Sequence, residues 1–192
     1  MHKRRYAVKF YPLPLEGAYC LEPEEIHDER GYFARTYCKE EFLKFGLNPH
    51  LEQCSLSFNR CKYTVRGMHY QISPFKEAKL VSCVQGAIFD VIIDMRKDSK
   101  TFLEWFGVEL TAENNKQLYI PEGFAHGFQT LADNSKVFYQ ISEKFHPSSA
   151  RGVRWDDPRF AIAWPYKENI TISQKDISYS DFIYEKDPCN RC

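Results

Sequence analysis

Residues 79–95, KLVSCVQGAIFDVIIDM, are the stretch of this chain from which its fold is most directly predicted. The run is rich in β-branched and apolar residues, which is typical of strands buried in a sheet. A hinge at Gln85-Gly86 divides it into two strands. In the second strand the side chains alternate between two faces, and Asp90 and Asp94 lie on the same face.

Similar short patterns continue on both sides of this stretch, separated by turn signals. Residues 39–45 form the one convincing short helix, with Gly46 as its stop, and a turn of helix is expected near Ser173. Residues 146–165 are expected to be a loop. Further extended segments or strands are predicted at residues 1–15, 18–22, 32–37, 50–59, 64–71, 102–110, 117–120, 124–131 and 136–142. Many short strands with little helix predict one all-β sandwich or barrel, with residues 1–192 as a single domain.

Charge and apolar patterning exclude several classes of function. The chain has 26 Lys and Arg against 26 Asp and Glu, so no net field favours nucleic acid or a membrane surface. The N-terminus, residues 1–17, is basic but lacks the long apolar run of a secretion signal. No stretch approaches the roughly 20 apolar residues of a membrane helix. We therefore expect a soluble, cytoplasmic protein.

Seven cysteines, an odd number spread along the chain, predict reduced thiols in the cytosol. Cys189 and Cys192 form a C-x-x-C motif at the end of the sequence, without a second pair. We interpret it as part of a tail rather than as a redox or zinc motif.

Residues 65–79, VRGMHYQISPFKEAK, gather groups that are typical of catalysis. Arg66, His69 and Lys79 lie within this segment, but the odd spacing of the first two places them on opposite faces of a regular strand. A bulge at Gly67 would shift the phase and turn both toward one cavity. A core histidine with two surface cations remains the alternative on this segment alone.

Residues 120–128, IPEGFAHGF, resemble the second motif of the cupins, which are small double-sheet β-barrels. Pro121 and Gly123 would shape a turn that directs His126 into the mouth of the barrel. The alternative is an ordinary turn with a packed histidine.

Together, six motifs resemble the dTDP-4-dehydrorhamnose 3,5-epimerase family, in that family's order and near its spacing. They are DERGYF (28–33), VRGMHYQ (65–71), AKLV (78–81), FDVIID (89–94), IPEGFAHGFQTL (120–131) and RWDDP…IAWP (154–165). The resemblance covers roughly residues 17–177, which leaves an N-terminal extension and a C-terminal tail. It implies an all-β, cupin-type double-sheet jelly-roll barrel with few short helices.

The resemblance also implies an isomerase that works without a cofactor or metal. The family inverts carbons on either side of the ketone of a nucleotide-linked 4-keto-6-deoxyhexose. Such carbons are acidic only because the anion delocalises onto the ketone oxygen, so a base, an electrophile and an acid are needed.

Four residues match the family's catalytic positions. The resemblance makes His69 the base, Asp176 in the segment SQKD its partner, Lys79 the cation near the ketone oxygen, and Tyr139 the acid. Without it, Asp176 would be interpreted as a surface carboxylate and Tyr139 as a core tyrosine.

Substrate binding is implied for a second set of residues. Arg30 and Arg66 are the natural ligands of the diphosphate, because a guanidinium pairs with phosphate oxygens, and Arg35 is a further candidate. The remaining members of the set are Phe33, Gln53, Ser55, His126, Phe145 and Lys175. In the family, part of this contact crosses an interface built by N-terminal strands, so a homodimer with exchanged N-terminal strands is expected.

Three positions depart from the family pattern. Phe145 replaces a tyrosine that stacks on the nucleobase. Ala150 replaces an acidic residue, and Ser55 replaces an asparagine that contacts the nucleobase. The nucleotide is therefore less well determined than the reaction.

Other functions remain open. Gln71 replaces the second histidine of metal-binding cupins, yet His69, His126 and Glu77 offer three possible ligands. A sugar-binding protein without activity is a second class. A single-carbon epimerase or a 3,4-ketoisomerase, acting on a related dTDP, CDP or GDP sugar, is a third.

Overall fold

The computed structural model describes residues 7–184, which fold almost entirely into strands. Two short helices are α1 (Lys39–Lys44) and α2 (Gln174–Ile177). The strands are β1 (Val8–Pro12), β2 (Tyr19–Pro23), β3 (Glu25–Asp28), β4 (Gly31–Ala34), β5 (Gln53–Asn59), β6 (Val65–Gln71), β7 (Lys79–Gln85), β8 (Ala87–Asp94), β9 (Trp105–Thr111), β10 (Gln117–Ile120), β11 (Phe124–Thr130), β12 (Ser135–Ile141) and β13 (Ala150–Gly152).

Two antiparallel sheets enclose the core. One has the strand order β1-β2-β10-β7-β12-β5 and the other has the order β13-β6-β11-β8-β9, while β3 and β4 form a separate hairpin. The hinge at Gly86, with φ +75°, carries the chain from β7 in the first sheet to β8 in the second. The predicted all-β, double-sheet architecture with few short helices is confirmed.

Strand β8 is buried on both faces, which explains its apolar sequence. Ile88 and Ile92 pack in the core between the sheets. Val91 and Ile93 pack on the outer face, where Trp164 and other residues of the C-terminal segment cover them. Each fully buried aliphatic side chain contributes about 1.5–3 kcal/mol. The RWDDP…IAWP motif thus serves to cover one sheet.

The predicted helix and hinge are found, while other boundaries differ. Helix α1 ends before Gly46, whose φ is +70°, as expected for a glycine stop. Strand β9 begins at Trp105 rather than Phe102, because the preceding residues form a turn in which Leu103 has φ +66°. Strand β4 ends at Ala34 instead of continuing to residue 37. The segment predicted to be a loop contains the short strand β13.

The cysteines of the described part are all free thiols, as predicted: Cys20, Cys38, Cys54, Cys61 and Cys83. Cys189 and Cys192 lie outside the described residues. Within residues 7–184, no helix is both long and apolar enough to cross a membrane.

Candidate active site

A cavity of about 420 Å³ opens between the two sheets and collects the residues to which the sequence assigned chemistry. Strand β6 contributes His69, β7 contributes Lys79, β12 contributes Tyr139 and α2 contributes Asp176. Four separate elements therefore meet around one space. Both sheets contribute, which is why spacing along the chain gives no hint that Tyr139 and Asp176 join His69 and Lys79.

The predicted bulge at Gly67 is confirmed and explains how Arg66 and His69 share the cavity. His69 pairs with His126 and Arg66 pairs with Phe128, so two residues of β6 oppose one residue of β11. Gly67 has φ +115°, a conformation that side chains disfavour. A Cβ atom there would also lie 2.6 Å from the Cα of Gly127. The two backbones approach this closely because both positions are glycine.

Asp176 reaches His69 from a one-turn helix. The N–H of Val65 donates to the carbonyl of Thr171 at 2.8 Å and brings this segment beside β6. The hydroxyl of Ser173 caps α2. The Oδ1 atom of Asp176 then lies 2.6 Å from Nε2 of His69. This contact leaves Nδ1 as the ring nitrogen available to a substrate proton.

The charge of Asp176 is stabilised where it lies. Burial acts to raise its pKa, but the hydrogen bond and positive charge of His69 oppose burial, as does the N–H of Gly67 at 3.4 Å, and the net pKa is lowered. A carboxylate that stays ionised in a buried site favours the imidazolium form of its partner. The pair is thus suited to take up a proton.

Lys79 and Tyr139 line the cavity from neighbouring strands. The ammonium of Lys79 lies 2.5 Å from Oε1 of Glu77. Tyr139 packs against the core cluster, and burial raises the pKa of its phenol, with a further increase from Asp90 and partial opposition from Arg66. The phenol is therefore protonated throughout the neutral range.

A second histidine–carboxylate pair lies deeper in the barrel. Nε2 of His126 is 2.7 Å from Oδ1 of Asp90, both side chains are buried, and Oδ2 of Asp90 has no hydrogen-bond partner. Burial raises the pKa of Asp90, and the attraction of His126 and Lys79 opposes this. The sequence did not assign Asp90 a role, although a carboxylate in a strand buried on both faces requires a partner.

Most residues of the predicted binding set line the cavity: Arg66, His126, Gln53, Ser55, Phe145 and Lys175. Nε of Arg66 donates to Asn59 at 2.7 Å, and the N–H of Phe145 donates to the side chain of Gln53 at 3.1 Å.

Three predicted ligands lie elsewhere. Arg30 and Phe33 belong to the β3–β4 hairpin and Arg35 follows it, and none of the three lines the cavity of its own chain. Several further cavity residues were not predicted, among them Arg151 and Tyr179. The ring of Tyr179 lies 6.2 Å from that of His69, and no motif in the sequence marks it.

The three residues considered as metal ligands have other partners. His69 contacts Asp176, His126 contacts Asp90, and Glu77 pairs with Lys79. Among residues 7–184, no group of three or more His, Cys, Asp or Glu side chains is arranged to hold a metal ion.

Comparison with known proteins gives a single family. The family model described as dTDP-4-dehydrorhamnose 3,5-epimerase matches residues 12–183. The chain is 42% identical to the protein of that name from Methanothermobacter thermautotrophicus over 170 residues, which cover 88% of this chain and 91% of the relative.

Solved structures agree with this match. The dTDP-4-dehydrorhamnose 3,5-epimerase of Bacillus anthracis, with TDP and PPi bound, has a TM-score of 0.88 and 39% identity, and the match covers 92% of this chain and 100% of that one. A 3'-monoepimerase from Streptomyces bikiniensis, in complex with dTDP-quinovose, has a TM-score of 0.82 and 32% identity, covering 89% and 86%. The chain therefore belongs to the dTDP-4-dehydrorhamnose 3,5-epimerase family.

Proposed function

We propose that this protein is a cofactor-independent isomerase that inverts carbons 3 and 5 of a dTDP-4-keto-6-deoxyhexose. The observation that carries the proposal is the convergence of an aspartate-paired imidazole, an ammonium and a phenol on one cavity. These are the base, the electrophile and the acid that inversion next to a ketone needs.

In the first step, Nδ1 of His69 removes the proton from the carbon beside the ketone. The electrons of the C–H bond form a carbon–carbon double bond, and the ketone oxygen becomes an enolate. The ammonium of Lys79 stabilises that oxygen, and a fixed donor in a site that excludes water is worth about 3–4 kcal/mol. Asp176 stabilises the imidazolium that forms.

In the second step, the phenol of Tyr139 gives its proton to the opposite face of the same carbon. The enolate collapses to the ketone and the carbon is inverted. His69 then holds one proton too many and Tyr139 one too few, and exchange with water restores both. The raised pKa of Tyr139 keeps the phenol protonated until the carbanion, a much stronger base, accepts its proton.

Cations at the cavity mouth favour a nucleoside diphosphate as the carrier. Arg66, Arg151 and Lys175 line the mouth, and guanidinium groups match the geometry of phosphate oxygens. The TDP bound by the related enzyme of Bacillus anthracis supports thymidine as the nucleoside. Ser55 and Phe145 line the same cavity. They replace the asparagine and the tyrosine with which the family usually contacts the nucleobase.

A homodimer would complete this site. Leu56, Phe58 and Val84 are 59%, 49% and 51% exposed, and Ser55 and Ser57, which alternate with the first two, line the cavity on the opposite face. An apolar sheet face of this kind is typical of an interface. The β3–β4 hairpin exposes 62% of Phe33. We propose that this hairpin brings Arg30 and Phe33 to the cavity of a second copy.

Incubation with dTDP-4-keto-6-deoxyglucose in deuterated water tests the reaction. We expect deuterium at both carbons beside the ketone and inversion at both, followed by NMR of the product. Deuterium at only one carbon would favour a single-carbon epimerase, and a ketone at carbon 3 would favour a ketoisomerase. If neither carbon takes up deuterium, with dTDP or with other nucleotide carriers, the proposal is refuted.

The variant Tyr139→Phe separates the two steps of the reaction. It should retain exchange at the carbons but lose most of the inversion, because the base remains and the acid is absent. The substitution Tyr11→Phe, at an exposed tyrosine, is the matched control and should behave as wild type. Normal inversion by Tyr139→Phe would show that another group is the acid.

A further inference from the structure

Glu77 forms the closest charge contact of the proposed electrophile. Its Oε1 atom lies 2.5 Å from Nζ of Lys79, and the two side chains are 11% and 9% exposed. Both residues line the cavity. An ion pair with so little solvent is held far more tightly than a surface pair.

The second oxygen of Glu77 is fixed as well. Its Oε2 atom accepts a hydrogen bond from Nε2 of Gln71 at 3.1 Å. The same amide nitrogen also lies 3.0 Å from the carbonyls of Phe75 and Lys144, and Oε1 of Gln71 accepts from the N–H of His146 at 2.6 Å. Gln71 is buried. Glu77 is thus anchored to β6 and to the segment after β12 and cannot readily follow Lys79 elsewhere.

A competing partner for the ammonium lies deeper in the barrel. Asp90 is close enough to Lys79 to interact with it electrostatically, and its Oδ2 atom is buried without a hydrogen-bond partner. A buried carboxylate oxygen with no partner attracts any cation that can reach it. Without Glu77, the ammonium would be drawn toward Asp90 and away from the place that the enolate oxygen would occupy.

We propose that Glu77 is a positioning residue that holds the Lys79 ammonium at the cavity wall and prevents it from turning to Asp90. Gln71 supports this role through its bond to Glu77. The proposal rests on the function proposed above, because it assigns Lys79 to the enolate oxygen. It extends the site to Glu77, which contacts Lys79, and to Gln71, which contacts Glu77. Neither residue is assigned a contact with the substrate.

The test compares Glu77→Gln, which removes the charge at nearly unchanged shape, with Glu113→Gln at an exposed turn position. We expect Glu77→Gln to lower kcat about 10- to 100-fold, which is less than the roughly 100- to 1,000-fold loss when a donor to an oxyanion is removed, because Lys79 is displaced but still present. KM should change about twofold or less, because the binding residues are untouched. Glu77→Asp keeps the charge but shortens the side chain, and its kcat should lie between those of wild type and Glu77→Gln.

A second readout needs no substrate. NMR of protein labelled at the lysine ε-carbon follows the titration of Lys79, assigned by loss of its signal in Lys79→Met. The midpoint should fall by about one pH unit in Glu77→Gln, because Asp90 is already hydrogen-bonded to His126 at 2.7 Å and replaces Glu77 only in part as the counter-ion of the ammonium. Other titratable or charged groups that face this cavity or its floor are Arg66, His69, Tyr70, Asp90, His126, Tyr139, Arg151, Lys175, Asp176 and Tyr179.

The two readouts separate the possible failures. An unchanged midpoint overturns the proposal, and so does a shifted midpoint with kcat within about twofold of wild type. A fall in kcat that accompanies a loss of thermal stability, with no shift of the midpoint, would make Glu77 merely structural. A wild-type protein without epimerase activity would refute the proposed function, while the titration would still decide whether Glu77 holds the ammonium.

Discussion

The carboxylate of Asp176 is expected to stabilise the fold as well as the proposed base, His69. Its pKa in the folded protein is lowered by the hydrogen bond and charge of His69, which outweigh burial. In the unfolded chain an aspartate titrates near pH 4. The stabilisation is therefore fully present above about pH 4. It is lost as the pH falls through the lowered pKa that Asp176 has in the folded protein.

We predict that Asp176→Asn lowers the free energy of unfolding at pH 7 by about 1–3 kcal/mol, the range for a buried hydrogen bond to a charged group. The difference from wild type should shrink below about pH 4, because the aspartate of the unfolded chain then takes up a proton, and at a lower pH the native carboxylate does so too. Urea unfolding at several pH values measures this, with Asp98→Asn at an exposed turn as the control. A difference that stays constant down to pH 2 would contradict the assigned ionisation.

The sequence predicted some residues of the candidate site better than others, for a physical reason. His69 and Lys79 stand in a compact motif, and the structure brings them to one cavity. Asp176 depended on resemblance to a family, because a carboxylate in a loop looks the same whether or not it has a partner. Asp90 and Tyr179 were not assigned, since their neighbours come from other strands and no local pattern encodes them.

At the scale of elements, the bulge in β6 is the feature on which the site depends. It turns Arg66 and His69 to one side by opposing two residues of β6 to one of β11. The bulge was predictable because glycine interrupts an otherwise regular strand. Its close contact with Gly127 was not predictable, because β6 and β11 are far apart in the sequence and their pairing has no local signal.

We predict that Gly67→Ala destabilises the fold by about 3 kcal/mol or more, combining backbone strain with a steric clash. The added Cβ would lie 2.6 Å from the Cα of Gly127 and 2.7 Å from the carbonyl oxygen of His126. Gly31→Ala is the matched control, because Gly31 has φ +126° and nothing within 4 Å of the added atom. Equal losses of unfolding free energy in the two variants would mean that strain alone, and not the close approach, requires Gly67.

Other elements show where pattern reasoning ends. The hinge at Gly86 was clear in the sequence. The sequence did not show that the strands on its two sides belong to different sheets. Strand β13 was missed because it has only three residues and lies at the edge of its sheet. So short an edge strand carries no alternation that a sequence can display.

At the scale of the whole molecule, the proposed contact of Arg30 and Phe33 with a substrate needs a second copy of the chain. Both belong to a hairpin that does not line the cavity of its own chain. Arg30 extends into solvent, where it pairs with Asp28 at 2.6 Å. Under the proposed dimer, each cavity is completed by the hairpin of the other copy.

We predict that Arg30→Ala and His69→Ala, each nearly inactive alone, regain activity when their subunits are mixed and exchanged. Half of the dimers would be mixed, and each mixed dimer would have one intact site, so about a quarter of wild-type activity should return. Mixing His69→Ala with Lys79→Met, two defects in the same cavity, is the control and should restore nothing. No recovery in the first mixture, with subunit exchange verified by mass, would contradict the exchanged hairpin.

Helix α2 follows every strand of both sheets in the chain order, although it supplies the partner of His69. A ribosome thus finishes the entire barrel before it adds Asp176. Premature termination or proteolytic clipping ahead of Ser173 would leave all thirteen described strands in place and yet remove the group that orients His69. Loss of a short C-terminal piece is therefore expected to abolish the activity while the barrel stays folded.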